Sequence, residues 1–291
     1  MISYDAHVHL FFAGCESFRE AAALHTPVPN EERVRACLKQ YEKAGITLLR
    51  DGGDRFGVSL LAKKLAPEYG ITLLSAGWPL GQAGKCGNPP IGTFSTLEEF
   101  RSCLRELREA GADFVHLLAT GLPDLKEYGA LQGDSMEPEL VKDCIRAAHD
   151  AEFPVMVHCS GPEITTAAIE AGADSIEHGW YLDNETLRIL AESDTVWVPS
   201  VVTAGNCVND DTHRYPEPVL KRILDEQLWK ISTLAGWGGN IALGSNGGFY
   251  CSPHVQAALD EYDFLKEELQ DNLDSLLQSG EVMLRWKFHA L

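Results

Sequence analysis

Residues 138–178 read PELVKDCIRAAHDAEFPVMVHCSGPEITTAAIEAGADSIEH, and this stretch decides the fold. From Pro138 to Ala151 and from Glu163 to Ala171 the apolar residues recur at three- and four-residue spacing, which gives a helix one face to bury. Two short apolar runs, Pro154-Val-Met-Val-His158 and Asp174-Ser-Ile-Glu-His178, have the length of strands. Ala171-Gly172 closes the second helix, because glycine past the last turn takes the left-handed conformation that caps it. Strands alternating with helices imply parallel pairing.

The same alternation extends in both directions. Toward the N-terminus lie Ile2 to Leu10, Ile46 to Arg50, Ile71 to Ser75 and Phe114 to Leu118; toward the C-terminus lie Thr195 to Pro199 and Ile241 to Gly244. Helical spacing fills the gaps at Asn30 to Ala44, Leu97 to Ala110, Asn184 to Ala191 and Pro218 to Leu234, and Ala44-Gly45 and Ala110-Gly111 repeat the cap. Eight strand–helix units in roughly 250 residues make an α/β (β/α)8 barrel the expected fold. An open doubly wound sheet has the same alternation, but no GxGxxG or GxxxxGK[ST] follows any strand, so its nucleotide-binding forms lose their main support. The glycine-rich loop from Trp78 to Thr96 is either a lid over a site or a surface excursion.

Composition narrows the function classes. The 291 residues carry 24 Lys and Arg against 43 Asp and Glu, a formal net charge of −19, which argues against a nucleic-acid partner that would need a basic face. A 45% hydrophobic and 23% charged balance suits a chain that buries a core. No apolar run approaches the ~20 residues that span a bilayer, so no membrane association is expected. Eight scattered cysteines without a CxxC pair, and no signal peptide, fit reduced thiols and a cytoplasmic protein.

Four of the ten histidines end strands. His7 and His9 close the first, His158 the fifth and His178 the sixth. Side chains alternate along a strand, so His7 and His9 share a face. By the same rule Glu177 faces away from His178. Buried neutral histidines need partners for both ring nitrogens, so four imidazoles at strand ends point to a metal site more readily than to packing.

The ordered set Tyr4-Asp-Ala-His-Val-His-Leu10, Ile46-Thr-Leu-Leu-Arg-Asp-Gly52, Val155-Met-Val-His158, Ala173-Asp-Ser-Ile-Glu-His-Gly179 and Ala242-Leu-Gly-Ser-Asn-Gly247 resembles the motifs of the amidohydrolase superfamily, in its imidazolonepropionase-like and prolidase-like branch. The resemblance runs from residue 2 to about residue 265. It implies a barrel hydrolase with one or two divalent metals at its mouth, the first held by His7 and His9 and the second by His158 and His178. It also implies a bridging lysine on the fourth strand, a general-base aspartate after the eighth, and a water activated by metal for attack on a C–N or ester carbonyl.

Two positions depart from that pattern. Asp113-Phe-Val-His116 puts His116 where the bridging lysine belongs, and Gly244-Ser-Asn-Gly-Gly248 puts Asn246 at the aspartate. Both changes remove negative charge from the same small volume, so one ion, zinc by preference, is expected rather than two. An amide accepts no proton near neutral pH, so Asn246 orients a water without deprotonating it. His116 or Asp51 is then the substitute base: His116 is read first as ligand or base and otherwise as an inward core imidazole, and Asp51 is read first as a turn carboxylate that caps backbone amides or pairs with Arg50. Tyr128 and His254 sit in loops that can reach substrate, and His25, His149, His213 and His289 receive no role.

The expected function is metal-dependent hydrolysis of an amide, cyclic amide or dipeptide-like C–N bond in a small molecule. The alternatives are an impaired barrel that binds a small ligand or metal, and a lyase or isomerase using a proton shuttle at the same site. Residues 1–291 are expected to form one barrel domain without the accessory β-sandwich of many relatives. The stretch Val282 to Phe288 is expected across the barrel's bottom or against a second subunit of a homo-oligomer.

Overall fold

The structure is a computed structural model that describes residues 2–15, 17–86, 91–208, 210, 212, 214–248 and 251–290. Among the described residues ten strands run in chain order: β1 (Tyr4–Val8), β2 (Leu48–Asp51), β3 (Thr72–Ser75), β4 (Leu80–Gln82), β5 (Gly92–Phe94), β6 (Val115–Leu118), β7 (Val155–Cys159), β8 (Ser175–His178), β9 (Val196–Val198) and β10 (Asn240–Ile241). These strands pair in parallel, in the orders β1-β2-β3 and β10-β9-β8-β7-β6-β4-β5.

Backbone hydrogen bonds join the two sheets at both edges. Ala6 N–H donates to the Leu243 carbonyl at 2.9 Å and His9 N–H to that of Gly247 at 2.8 Å, which ties β1 to the chain after β10. Asp113 N–H donates to the Ser75 carbonyl at 2.8 Å, which ties β3 to the approach to β6. The ring of β1, β2, β3 and β6 to β10 is therefore the eight-stranded barrel, and its eight strands fall on the eight apolar runs. An open sheet would leave those edge groups unpaired.

The segment from Trp78 to Thr96 supplies β4 and β5. Leu80 pairs with Leu117 of β6, so β4 takes over the upper part of the β3 edge, and β5 extends the sheet outward. Among the described residues of this segment Leu80–Gln82 and Gly92–Phe94 are strand and the rest is turn or irregular; residues 87–90, in the middle of the loop read as either a lid or a surface excursion, lie outside the described residues.

The helices begin and end where local chemistry dictates. Thr96 accepts from Glu99 N–H at the start of Leu97–Ala110, and Gly111 ends it at φ 84°. Asn30 accepts from Arg33 N–H and Gly45, at φ 76°, closes Glu31–Ala44. These caps satisfy end groups that the helix itself leaves orphaned.

The final helix, Leu273–Lys287, includes most of the stretch read as alternating apolar and basic residues. It packs on β1 and β10: Tyr4 Oη donates to the Leu277 carbonyl at 2.9 Å, and a Cβ on Gly280 would stand 2.0 Å from the Ile241 carbonyl oxygen. Phe288, just past its end, is buried edge-on to Phe114 at 5.4 Å and lies under the Arg50 guanidinium at 4.4 Å. The chain thus closes the barrel floor, while Val282 and Trp286 remain exposed.

Candidate functional site

Strand alternation sends Asp5, His7 and His9 of the first strand into the barrel. His116 on β6, His158 on β7 and His178 at the end of β8 enter from the other side. Ring centroids of His7 lie 5.0 Å from His9, 5.8 Å from His116 and 5.0 Å from His178; His9 and His116 are 6.2 Å apart, and His158 and His178 4.7 Å. Five imidazoles from four strands meet at the carboxyl ends of the barrel strands. Two glycines make the crowding possible. A Cβ on Gly52 would stand 2.5 Å from His9 Cε1 and 3.0 Å from His116 Nδ1, and one on Gly244 would strike Val198 Cγ1 at 2.3 Å and crowd His7 Cβ at 3.0 Å.

Hydrogen bonds fix several rings. His116 Nδ1 lies 2.8 Å from the Gly52 carbonyl. A carbonyl only accepts, so Nδ1 carries the proton and Nε2 carries the lone pair. The Gly121 carbonyl holds His158 in the same manner. His7 Nδ1 lies 2.8 Å from Glu177 Oε2, and His7 Nε2 is 3.1 Å from His9 Nε2. His116 Nε2, His158 Nε2 and His178 Nδ1 are buried without partners. Burial removes these rings from water and so disfavours their charged forms: His7, His9 and His178 are held well below the usual imidazole range, His116 is lowered to about 3 and His158 to about 4. The cluster is neutral, with lone pairs to offer.

That donor set fits one divalent ion in type. Partnerless buried nitrogens are costly unless something fills them, and imidazole suits zinc and its neighbours. Two nitrogens on a tetrahedral zinc, each ~2.0–2.1 Å from it, stand about 3.3 Å apart, close to the His7–His9 spacing. Among the described residues, no three His, Cys, Asp or Glu side chains already form a ready metal-holding group. The rings are gathered around a common space without closing on one point.

The other sequence candidates divide. Asn246 is buried at a left-handed backbone position, φ 52°, and its Nδ2 is directed to Thr203 Oγ1 at 3.4 Å on the neighbouring helix Val202–Val208. His254 does reach the mouth. A Cβ on Gly248 would stand 2.3 Å from the His9 carbonyl oxygen and 3.1 Å from His254 Nε2, and His254 Nδ1 lies 2.9 Å from Tyr41 Oη. His254 Nε2 has no partner, and burial lowers this imidazole to about 4. Tyr128 is engaged elsewhere: its hydroxyl donates to Glu226, Arg222 lies over its ring at 3.5 Å, and it stacks edge-on with Tyr181. Asp51 accepts from the Leu10 and Gly53 amides at 2.9 and 2.8 Å, the capping role expected of it; Arg50 pairs instead with Glu177. His149 pairs with Asp174 near the surface, and His213 lies outside the described residues.

Glu177 corrects the strand-alternation argument. It faces the lumen, and it is His178 that breaks the alternation, by adopting φ 66° and swinging back into the mouth. Strand periodicity carries no signal for such a turn. Histidine, like asparagine, is enriched at left-handed positions, yet few residues of either type adopt them, so nothing in the sequence marks position 178. Tyr41 was likewise missed, being one apolar position in an ordinary amphipathic helix.

Comparisons with known proteins bear on the family and the fold. Among curated proteins, the ochratoxinase of Aspergillus niger is 24% identical over 230 residues, covering 67% of this chain and 46% of that one. The chain thus spans about half the length of the curated relatives it matches. An uncharacterised protein of Mycobacterium tuberculosis is 31% identical over 80 residues, which is 27% of this chain and 22% of its own. In solved structures, a Xaa-Pro dipeptidase with methionine in its active site superposes with TM-score 0.79 at 23% identity, covering 98% of this chain and 74% of the other. The A. niger ochratoxinase superposes with TM-score 0.80 at 20% identity, covering 98% and 70%. These superpositions establish the barrel fold. The family profile described as "Amidohydrolase family" matches residues 2–222, and with that span the chain belongs to the Amidohydrolase family.

Proposed function

We propose that the protein is a metal-dependent hydrolase of C–N bonds in small molecules, with a dipeptide or other N-acyl amino acid as substrate. The observation that carries this reading is the cluster of neutral imidazoles with partnerless buried nitrogens at the barrel mouth. His7 and His9, with His116, His158 and His178 around them, would hold one divalent ion, zinc by preference. Such an ion, when bound, supplies Lewis acidity toward a carbonyl and acidifies water.

The chain's own groups do the rest. His116, protonated at Nδ1 by its bond to Gly52, offers Nε2 as a ligand or as a proton acceptor. His254, braced by Tyr41, offers a second free Nε2 at the rim. Asn246 contributes an amide that orients water or a substrate carbonyl. The buried walls exclude bulk water, which strengthens each polar contact inside. Xaa-Pro dipeptides are the first substrates to test, since a Xaa-Pro dipeptidase superposes along almost the whole chain.

A second reading, a barrel that binds a metal or small ligand with little hydrolysis, is favoured by the amide at 246 and its contact with Thr203. Metal analysis of gently purified protein, followed by assay of Xaa-Pro and N-acyl amino acid panels with added zinc, manganese or cobalt, separates the two. About one equivalent of metal with turnover supports the hydrolase. Bound metal without turnover supports the second reading, and protein that neither carries nor accepts metal removes the hydrolase and leaves the second reading only as a binder of a small ligand.

A further inference from the structure

Below the histidines the barrel lumen holds a buried polar chain whose donors and acceptors can be counted. Arg50 has only donors. Its Nε donates to the Ala6 carbonyl at 2.7 Å, Nη1 to Ser175 Oγ at 2.8 Å and Nη2 to Glu177 Oε1 at 2.6 Å. Ser175 Oγ, accepting from Arg50, directs its own proton to Glu177 Oε1 at 2.5 Å. Oε1 therefore accepts twice, and Oε2 is left facing His7 Nδ1 at 2.8 Å. Arg50, Ser175, Glu177 and His7 are all buried, so water replaces none of these contacts.

We propose that Glu177, held by Arg50 and Ser175, locks His7 in the tautomer protonated at Nδ1, so that Nε2 presents a lone pair to the mouth. Glu177 is thus a positioning residue acting through His7. The 3.1 Å contact between the two Nε2 atoms is then, in the metal-free protein, a hydrogen bond donated by His9. The lock itself is a property of the metal-free chain; its consequence for metal affinity rests on the reading of His7 as a ligand.

The substitution Glu177→Gln tests orientation at nearly constant size. Its amide has one oxygen, and Arg50 and Ser175 both present protons at the Oε1 position, so the oxygen stays there. The NH2 group then faces His7 Nδ1, and because it cannot accept a hydrogen bond, His7 must shift to the Nε2-protonated form. Nitrogen-15 NMR of histidine-labelled, metal-free protein reads the tautomer directly, with the spectrum of His7→Gln identifying the signal.

In the unsubstituted protein His7 is expected to be protonated at Nδ1, and in Glu177→Gln at Nε2, with zinc affinity, measured by competition with a chromophoric chelator, about 10- to 100-fold weaker. His7 protonated at Nε2 in the unsubstituted protein overturns the lock whether or not the variant folds. A folded variant with the tautomer and zinc affinity unchanged overturns it too. An unsubstituted protein that shows the Nδ1 tautomer yet takes up no zinc retires the metal-hydrolase reading and leaves the lock standing.

Discussion

At the scale of single residues, the site is decided by which atoms carry protons and which backbones are strained. Position 246 is the sharpest case. A carboxylate there would accept a proton that the amide refuses, and a positioned base contributes ~10²–10⁴ in rate; if the protein is the proposed hydrolase, Asn246→Asp is therefore expected to raise kcat/KM on any substrate of the test panel that is turned over, by tenfold or more. An unchanged or lower value would mean that another group already holds the proton, with His116 and His254 the first to examine. Gly244 is a second case. Alanine there meets Val198 and the His7 Cβ at once, and overpacking of this kind costs about 1–3 kcal/mol; chemical denaturation should register that loss together with weaker zinc uptake. His7, His9, His158 and His178 were legible in the sequence because they end apolar runs. Glu177 was misassigned because its neighbour's left-handed backbone, φ 66°, cancels the alternation that placed it.

At the scale of elements, helix and strand contacts reverse simple propensities. Gly280 lies in the interior of Leu273–Lys287, where alanine ordinarily stabilises a helix by about 1 kcal/mol. Here its Cβ would collide with the Ile241 carbonyl, so Gly280→Ala is expected to lower the melting temperature, and a rise would show that the helix does not seat on β10 as described. Glu261, on helix Gln256–Leu269, offers a second test. Its Oε2 accepts from the Val202 amide at 2.8 Å, so it caps the neighbouring helix from inside the core. Burial pushes its carboxyl from the ordinary 4.5 up to about 8. The folded state then keeps a proton that the unfolded chain releases, so its contribution is complete below pH 4.5, falls as pH rises toward 8, and changes no further above that. Stability of the unsubstituted protein should fall between pH 5 and 8 by up to a few kcal/mol more than that of Glu261→Gln; parallel pH curves would assign the effect to other groups. The eight barrel strands and the Gly-capped helices were legible because periodicity and glycine record local geometry. β4 and β5 were not, because three-residue strands owe their pairing to neighbours, β4 to β6 and β5 to β4, rather than to their own pattern.

At the scale of the whole molecule, the barrel joins a histidine-lined mouth to a closed floor. If the imidazole cluster binds zinc only when folded, the ion stabilises the protein by mass action, about 2.7 kcal/mol at a free concentration one hundred times Kd. Chelation of zinc-loaded protein should therefore lower the melting temperature by several degrees, and His7→Ala should abolish that difference. A melting temperature indifferent to both treatments would place the ion, if any, outside the cluster. The fold was readable at this scale from eight alternating strand–helix units and the absence of nucleotide-binding motifs, whereas the path from Phe288 through Arg50 and Glu177 to His7 joins residues nearly three hundred positions apart and leaves no local trace in the chain. That path implies a division of labour for anyone reshaping the mouth. Because the first histidine takes its alignment from beneath, exchanging the rim loops for foreign ones should alter which molecules are admitted and leave the orientation of the His7 ring as it was.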